Sequence, residues 1–190
     1  MRPDLRRSLC AAALACLLAG CTSGQGGEDA GGETEPGAAA PKDDSAAGVE
    51  QFDPEDALVQ QTLTLPQSPQ DKVDIGVLSL EVEGQVMFLR LAVTPDFGSE
   101  SDSKALSLFT SLGQTTFAPT LVDVENLKEY AVVQAGSGKR WASSDLGTTS
   151  MNGTPMLAYA VFAAPEDDIS SIDVRVTDFW PAFTDVPITR

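Results

Sequence analysis

From residue 51 onward, apolar side chains recur at every second position. An extended strand sends successive side chains to opposite faces, so this period builds strands with one buried face, whereas a helix needs a period near 3.6. Residues 170–178 carry the pattern cleanly: Ile172, Val174 and Val176 alternate with Asp173, Arg175 and Thr177. Residues 85–94 place Met87, Leu89, Leu91 and Val93 on one face, with Arg90 and Thr94 on the other. Further strands are expected over 58–65, 73–83, 118–125, 129–135 and 156–163. Turn-forming clusters separate them: Thr94-Pro95-Asp96, Gly136-Ser137-Gly138, Asn152-Gly153 and Ala164-Pro165-Glu166. Short strands at this spacing predict an all-β fold, an antiparallel β-sandwich over residues 51–190. Residues 103–112 break the period and predict either a short helix capped by Ser103 or a loop across the end of the sandwich.

The segment before residue 51 is of another kind. Met1 to Arg7 carries Arg2, Arg6 and Arg7 against Asp4, and Ser8 to Leu18 is uncharged and largely apolar. Ala19 and Gly20 then lead to Cys21. A basic zone, a short apolar zone and small residues make an export signal, and the apolar run is too short for a stable membrane span. The tetrad Leu18-Ala19-Gly20-Cys21 looks like a bacterial lipobox, which implies a diacylglycerol thioether on Cys21 and cleavage between Gly20 and Cys21. Two acyl chains suffice for stable anchoring, where a single chain does not. Arg6-Arg7 before Ser8-Leu9 also weakly resembles a twin-arginine signal.

All three cysteines, Cys10, Cys16 and Cys21, lie in this segment. The domain is therefore expected to hold itself by packing, without disulfides or thiolate metal sites. Its length permits that, since small size becomes limiting nearer about 40 residues. Residues 21–50 are rich in Gly, Ala, Pro and acids, with Val49 the only large apolar side chain after the cysteine. Such a stretch buries too little surface to offset its ordering entropy and is expected to be a disordered tether. Its reach as a flexible coil is about 30 Å.

The chain has 28 acids, 12 bases and no histidine, a net charge of −16. Loss of residues 1–20 removes three arginines and one aspartate, leaving 27 acids and 9 bases, a balance of −18. So acidic a surface argues against nucleic acid as a partner. It is also repelled by anionic lipid, which leaves the membrane contact to the lipid anchor. Without histidine there is no Ser-His-Asp or Cys-His nucleophile, no imidazole base and no histidine-built zinc site.

Several short motifs suggest chemistry and fail on spacing. Gly136-Ser137-Gly138-Lys139 hints at a phosphate loop, but Val133 and Arg140 occupy positions that need glycine and a hydroxyl residue. A hairpin turn is expected there. Ser101-Asp102-Ser103-Lys104 has the Ser-x-x-Lys spacing of penicillin-recognising enzymes, without their companion motifs. The acid clusters Asp43-Asp44, Glu100 to Asp102 and Glu166 to Asp168 lack the alternating ligands and glycine of a calcium loop. No metal site and no cofactor is expected. The aromatic residues Trp141, Phe179, Trp180 and Phe183, beside Pro181, are a candidate binding patch, since aromatics concentrate at interfaces.

Three stretches carry a family resemblance. They are Val122-Asp123-Val124-Glu125-Asn126-Leu127-Lys128-Glu129-Tyr130, Ala163 to Asp168 followed by Ile172-Asp173-Val174, and Phe183-Thr184-Asp185-Val186-Pro187-Ile188. Together they resemble exported actinobacterial proteins with an immunoglobulin-like domain of unknown function, over roughly residues 70–190. In that family the domain often precedes a peptidoglycan-binding domain of the outer-membrane-protein-A type. The resemblance implies an immunoglobulin-like antiparallel β-sandwich and no catalytic residues. With Arg190 as the last residue, no peptidoglycan-binding domain is expected here. Family members often carry cysteines near the position of Lys139 to Ser143, where this chain has Lys-Arg-Trp-Ala-Ser, so no disulfide is implied.

These readings converge on a lipid-anchored extracytoplasmic protein. Its sandwich is expected to be non-catalytic and to bind another cell-envelope protein or a cell-wall component. Two alternatives stay open: an envelope hydrolase working with carboxylates alone, and an accessory subunit of a membrane complex.

Overall fold

The computed structural model describes residues 51–190. The signal segment, the Gly20–Cys21 cleavage and lipidation site and the tether lie outside the described residues. The strands are β1 (Val59–Leu65), β2 (Ser68–Glu83), β3 (Val86–Phe97), β4 (Ala105–Ser107), β5 (Thr120–Asp123), β6 (Lys128–Ala131), β7 (Thr149–Met151), β8 (Met156–Ala163), β9 (Ser171–Arg175) and β10 (Phe183–Pro187). A 3-10 turn at Pro54–Asp56 precedes them, and one helical turn, α1 (Leu108–Ser111), follows β4. Two four-stranded antiparallel sheets form the sandwich, in the orders β1-β2-β3-β8 and β10-β9-β5-β6, with β4 and β7 pairing separately.

The core lies between the sheets. Met87, Leu89, Leu91 and Val93 are fully buried, the face that their alternation predicts, and meet Leu121, Ile172, Val174 and Phe183 of the second sheet in one cluster. In β2 the alternation changes phase. Val73, Ile75 and Val77 point inward, and so does Leu80. The cause is a bulge: Val77 pairs with Leu91 and Ser79 with Arg90, so Leu78 is an extra residue that resets the inward phase. The sequence shows this as an adjacent apolar pair, Val77-Leu78, inside an alternating run.

Irregular segments cover two strand edges. β1 flanks β2 as far as Val77. Beyond that point the C-terminal residues take over, with Val82 N donating to Thr189 O at 2.8 Å and Thr189 N to Leu80 O at 2.9 Å. The outer edge of β8 is met by Val133 and by residues 141–143: Val161 N donates to Trp141 O and Ser143 N to Tyr159 O, both at 2.9 Å. An antiparallel bridge between Ala142 and Ala160 sets the register there. Covered edges are less open to pairing with other chains.

The segment 103–112, expected as a short helix or as a loop, is neither throughout. Its first half is β4, which pairs with β7, and only Leu108–Ser111 is helical. Ser107, and not Ser103, is the cap, its Oγ accepting from Thr110 N at 3.2 Å. Pairing with β7 holds Ala105–Ser107 extended against the local helical preference.

Candidate functional site

The four aromatics marked by the sequence do not form one surface. Phe183 is 2% exposed and belongs to the core. Trp180 is 8% exposed, and its Nε1 donates to Thr64 O of β1 at 3.1 Å. Phe179 packs edge-on to Trp180 at 4.9 Å and stays partly exposed. Trp141 lies past the other edge of the first sheet, beyond β8. Edge to edge that is about four strand spacings, roughly 19 Å. The physical reason is simple: a large ring near a strand end fills the end of a sandwich core as readily as it faces water.

A different aromatic surface does exist, on the outward face of the first sheet. The register aligns two rows of outward residues. Glu81, Phe88 and Val161 are paired across β2, β3 and β8, and Trp141 continues that row. Ser79, Arg90 and Tyr159 form the next row, continued by Ser143. Trp141 is 50% exposed and Tyr159 45% exposed, while Val161 between them is buried. Phe88 is half-buried. An antiparallel sheet with a solvated face normally shows polar side chains there, so this concentration of apolar rings is unusual.

The other part of the same face is roofed by the chain entering the domain. Gly76 makes this possible. A Cβ on Gly76 would meet the Ala57 Cβ at 2.7 Å, so the chain just ahead of β1 crosses β2 at a notch that only glycine leaves. Asp53 fixes the crossing by accepting from Glu55 N at 2.9 Å, at the start of the 3-10 turn. Between this lead-in and the sheet is an open hollow of about 180 Å³. Phe52, Leu78 and Leu157 give it apolar surface, and Asp56, Glu81 and Arg90 give it charge. Arg90 is ion-paired to Glu81 at 3.3 Å. Tyr159 is the cross-strand partner of Arg90, so the hollow and the aromatic rows are contiguous.

A second open hollow, of about 380 Å³, is lined by residues 139, 140 and 142–146. Its one carboxylate is engaged: Asp145 accepts from Arg140 at 3.1 Å and from Phe117 N at 2.5 Å. Arg140 and Ala142 alternate with Trp141, while Ser143, which continues the outward row of Tyr159, also lines this hollow.

Two carboxyls are held below their usual range by local hydrogen bonds. Burial pushes the Asp71 carboxyl up, but hydrogen bonds from Ser68 and Ser99 outweigh it; Ser99 donates through N at 3.0 Å and Oγ at 2.8 Å. The backbone N–H and carboxamide of Asn126 lower the Asp123 carboxyl, at 3.0 and 2.8 Å. Both carboxylates pin turns. The Asp123 turn presents Val124 and Leu127 to solvent at the tip of the β5–β6 hairpin.

The other motifs resolve into loops. Residues 136–139 form a turn closed by the Gln134–Arg140 bridge, with Gly138 at φ +77°. Ser101 and Lys104 sit in a turn, Lys104 N donating to Ser101 O at 2.9 Å, so no helix aligns their side chains. Lys128 of β6 pairs with Asp167 of the Glu166 to Asp168 cluster. Among the described residues no three acids or other ligand residues gather as a metal site would require, and no helix is long and apolar enough to cross a membrane.

Tyr159, Phe88 and the Phe52 hollow were not marked by the sequence as site residues. The available signal was the nearly unbroken apolar run at 156–163, Met-Leu-Ala-Tyr-Ala-Val-Phe-Ala. A strand that is apolar at both phases has no fully solvated face.

Comparison with protein families and with curated proteins finds no match. Among solved structures, a secreted protein from Mycobacterium tuberculosis, MPT63, is similar at 14% identity and a TM-score of 0.37, over 68% of this chain and 89% of that one.

Proposed function

We propose that this protein is a lipid-anchored extracytoplasmic binding protein, whose sandwich recognises another component of the cell envelope through the outward face of its first sheet. The observation that carries this reading is the exposed pair Trp141 and Tyr159, flanking Val161 on a face that solvent alone would keep polar. Tyr159 stands on β8 and Trp141 is tied beside it by backbone hydrogen bonds to Val133 and Val161, so recognition there requires little ordering on binding. The hollows beside them are open, which suits contact with an extended surface more than enclosure of a small substrate. Lipid on Cys21 would hold the domain at the membrane despite its acidity, with residues 22–50 as spacer.

The two halves of the reading separate experimentally. Mass spectrometry of the mature N-terminus is expected to find a diacylglyceryl Cys21, and Cys21→Ala is expected to release the protein from the membrane fraction. A Trp141→Ala, Tyr159→Ala double variant is expected to stay in that fraction and lose its crosslinked envelope adducts. An unmodified Cys21 would remove the anchor. Adducts unchanged in the double variant would remove the binding face.

A further inference from the structure

We propose that the outward face of the first sheet is a platform for an uncharged sugar chain. This rests on the recognition reading above and names the chemical class of its ligand. A pyranose ring has an apolar C–H face and a perimeter of hydroxyls. It is matched by flat aromatic surface bordered by hydrogen-bonding groups, and the face has both.

The register supplies the surface. Trp141 lies across from Val161, and Tyr159 is two residues before Val161 on the same face of β8. Diagonal neighbours of this kind have backbones about 7–8 Å apart, so two half-exposed aromatic residues occupy neighbouring positions of one face, with the buried Val161 next to both. One row further, the hollow continues the same line. Leu78 and Leu157 of the sheet and Phe52 of the lead-in give it apolar surface, and its charged lining is Asp53, Asp56, Glu81 and Arg90. The carboxylates accept from hydroxyls, and the guanidinium donates.

Charge decides which sugars fit. Residues 51–190 hold 20 acids and 8 bases, and three of the four charged residues lining the hollow are acidic. Polymers bearing phosphate or uronate are repelled, and neutral ones are not. Size argues against a protein as the natural occupant. A specific protein interface takes about 20–30 residues on each side, whereas the exposed apolar part of this face is small: Tyr159 and Trp141, with Phe88 half-buried beside them. The aromatic pair and the small hollow instead suit two or three sugar rings in a row.

The protein has two tryptophans, and Trp180 is buried, so Trp141 is the exposed reporter. Titrating the detergent-solubilised mature protein with neutral hexasaccharides of glucose (α- and β-linked), mannose and N-acetylglucosamine is expected to give saturable changes in Trp141 emission with at least one of them. Calorimetry with that sugar is expected to show at least tenfold weaker binding for Trp141→Ala and for Tyr159→Ala, retention for Trp141→Phe, and no change for Val122→Ala on the other sheet. Circular dichroism confirms that each variant is folded. No binding of any of the four sugars, or binding that survives both alanine substitutions, overturns the proposal. If the sugars fail while envelope proteins still crosslink through Trp141 and Tyr159, the recognition reading stands and the sugar platform falls.

Discussion

The two sheets are alike inside and unlike outside. Inward, both present tightly buried aliphatic and aromatic side chains to one core. Outward, the second sheet carries Glu129, Val122 and Asp173 in one row and Ala131, Thr120 and Arg175 in the next. This is the mixed polar face that an antiparallel sheet turns to water. The first sheet carries Glu81, Phe88, Val161 and Trp141 in one row and Ser79, Arg90, Tyr159 and Ser143 in the next, so its apolar rings gather toward β8 and the segment beyond it. Packing explains the inner faces of both sheets. It does not explain the outer face of the first, and an apolar surface that the fold does not require is the strongest functional sign in the domain.

The largest effect that can test this contrast lies within one strand. Leu89 and Phe88 are adjacent in β3, one fully buried and one half-buried on the outer face. Leu89→Ala is expected to cost about 2–5 kcal/mol of folding stability, the range for large-to-alanine changes in a core. Phe88→Ala is expected to cost clearly less and to weaken binding instead. Chemical denaturation measures the first and crosslinking the second. Equal losses of stability would mean that the outer face is a second core and not a free surface.

Next in size is the lead-in crossing. Gly76→Ala drives a Cβ against Ala57 and is expected to destabilise by about 1–3 kcal/mol, the usual cost of overpacking. Hydrogen exchange is expected to rise over residues 52–58 more than elsewhere. Ala57→Gly in the same chain opens the space and is expected to restore much of the loss. If the second change gives no recovery, the lead-in does not rest on the sheet as described, and the hollow beside Phe52 loses its roof.

The smallest effect is with pH, and it is shared between the sheets. Asp71 in β2 and Asp123 in β5 both have carboxyls lowered from an ordinary value of 3.8. A lowered folded pKa means that the unfolded chain binds protons first as acid is added. Stability from these groups is therefore intact above the ordinary value, and is lost as pH falls through it towards the folded pKa. Thermal melts are expected to be flat down to about pH 5 and to decline below pH 4. Asp71→Asn is expected to lower the melting temperature near neutral pH and to shallow the acid decline. A decline as steep as in the unsubstituted protein would show that Asp71 is not among the groups responsible.

Much of the scaffold is legible in the sequence, for a definite reason. The long strands β2, β3 and β8 carry enough residues for a period of two to stand out, and even the β2 bulge leaves an adjacent apolar pair. β4 and β7 have three residues each, too few to show any period. β10 lies in the third stretch of family resemblance, but its spacing predicts no strand. Asp185 has φ +55° and the register shifts between Phe183 and Val186, so its alternation is broken. The site was less legible. Trp141 is marked by residue type alone, but Trp180 and Phe183 share that mark and are buried. What separates them is which side of which strand each ring leaves, and that follows from long-range pairing such as the Ala142–Ala160 bridge. Asn152 illustrates the same limit. It reads as a turn residue, yet its carboxamide pairs with Phe97 as a strand backbone would, accepting at 2.9 Å and donating at 3.1 Å.

The contrast between the two outer faces is tested most directly by a photoreactive amino acid placed on each in turn, in the full chain within living cells. One position is Tyr159 on the first sheet, and the other is Val122 on the second. An adduct with an envelope component is expected from position 159 and none above background from position 122. Adducts from position 122 alone, or equally from both, would mean that the outer face of the first sheet is not the recognition surface.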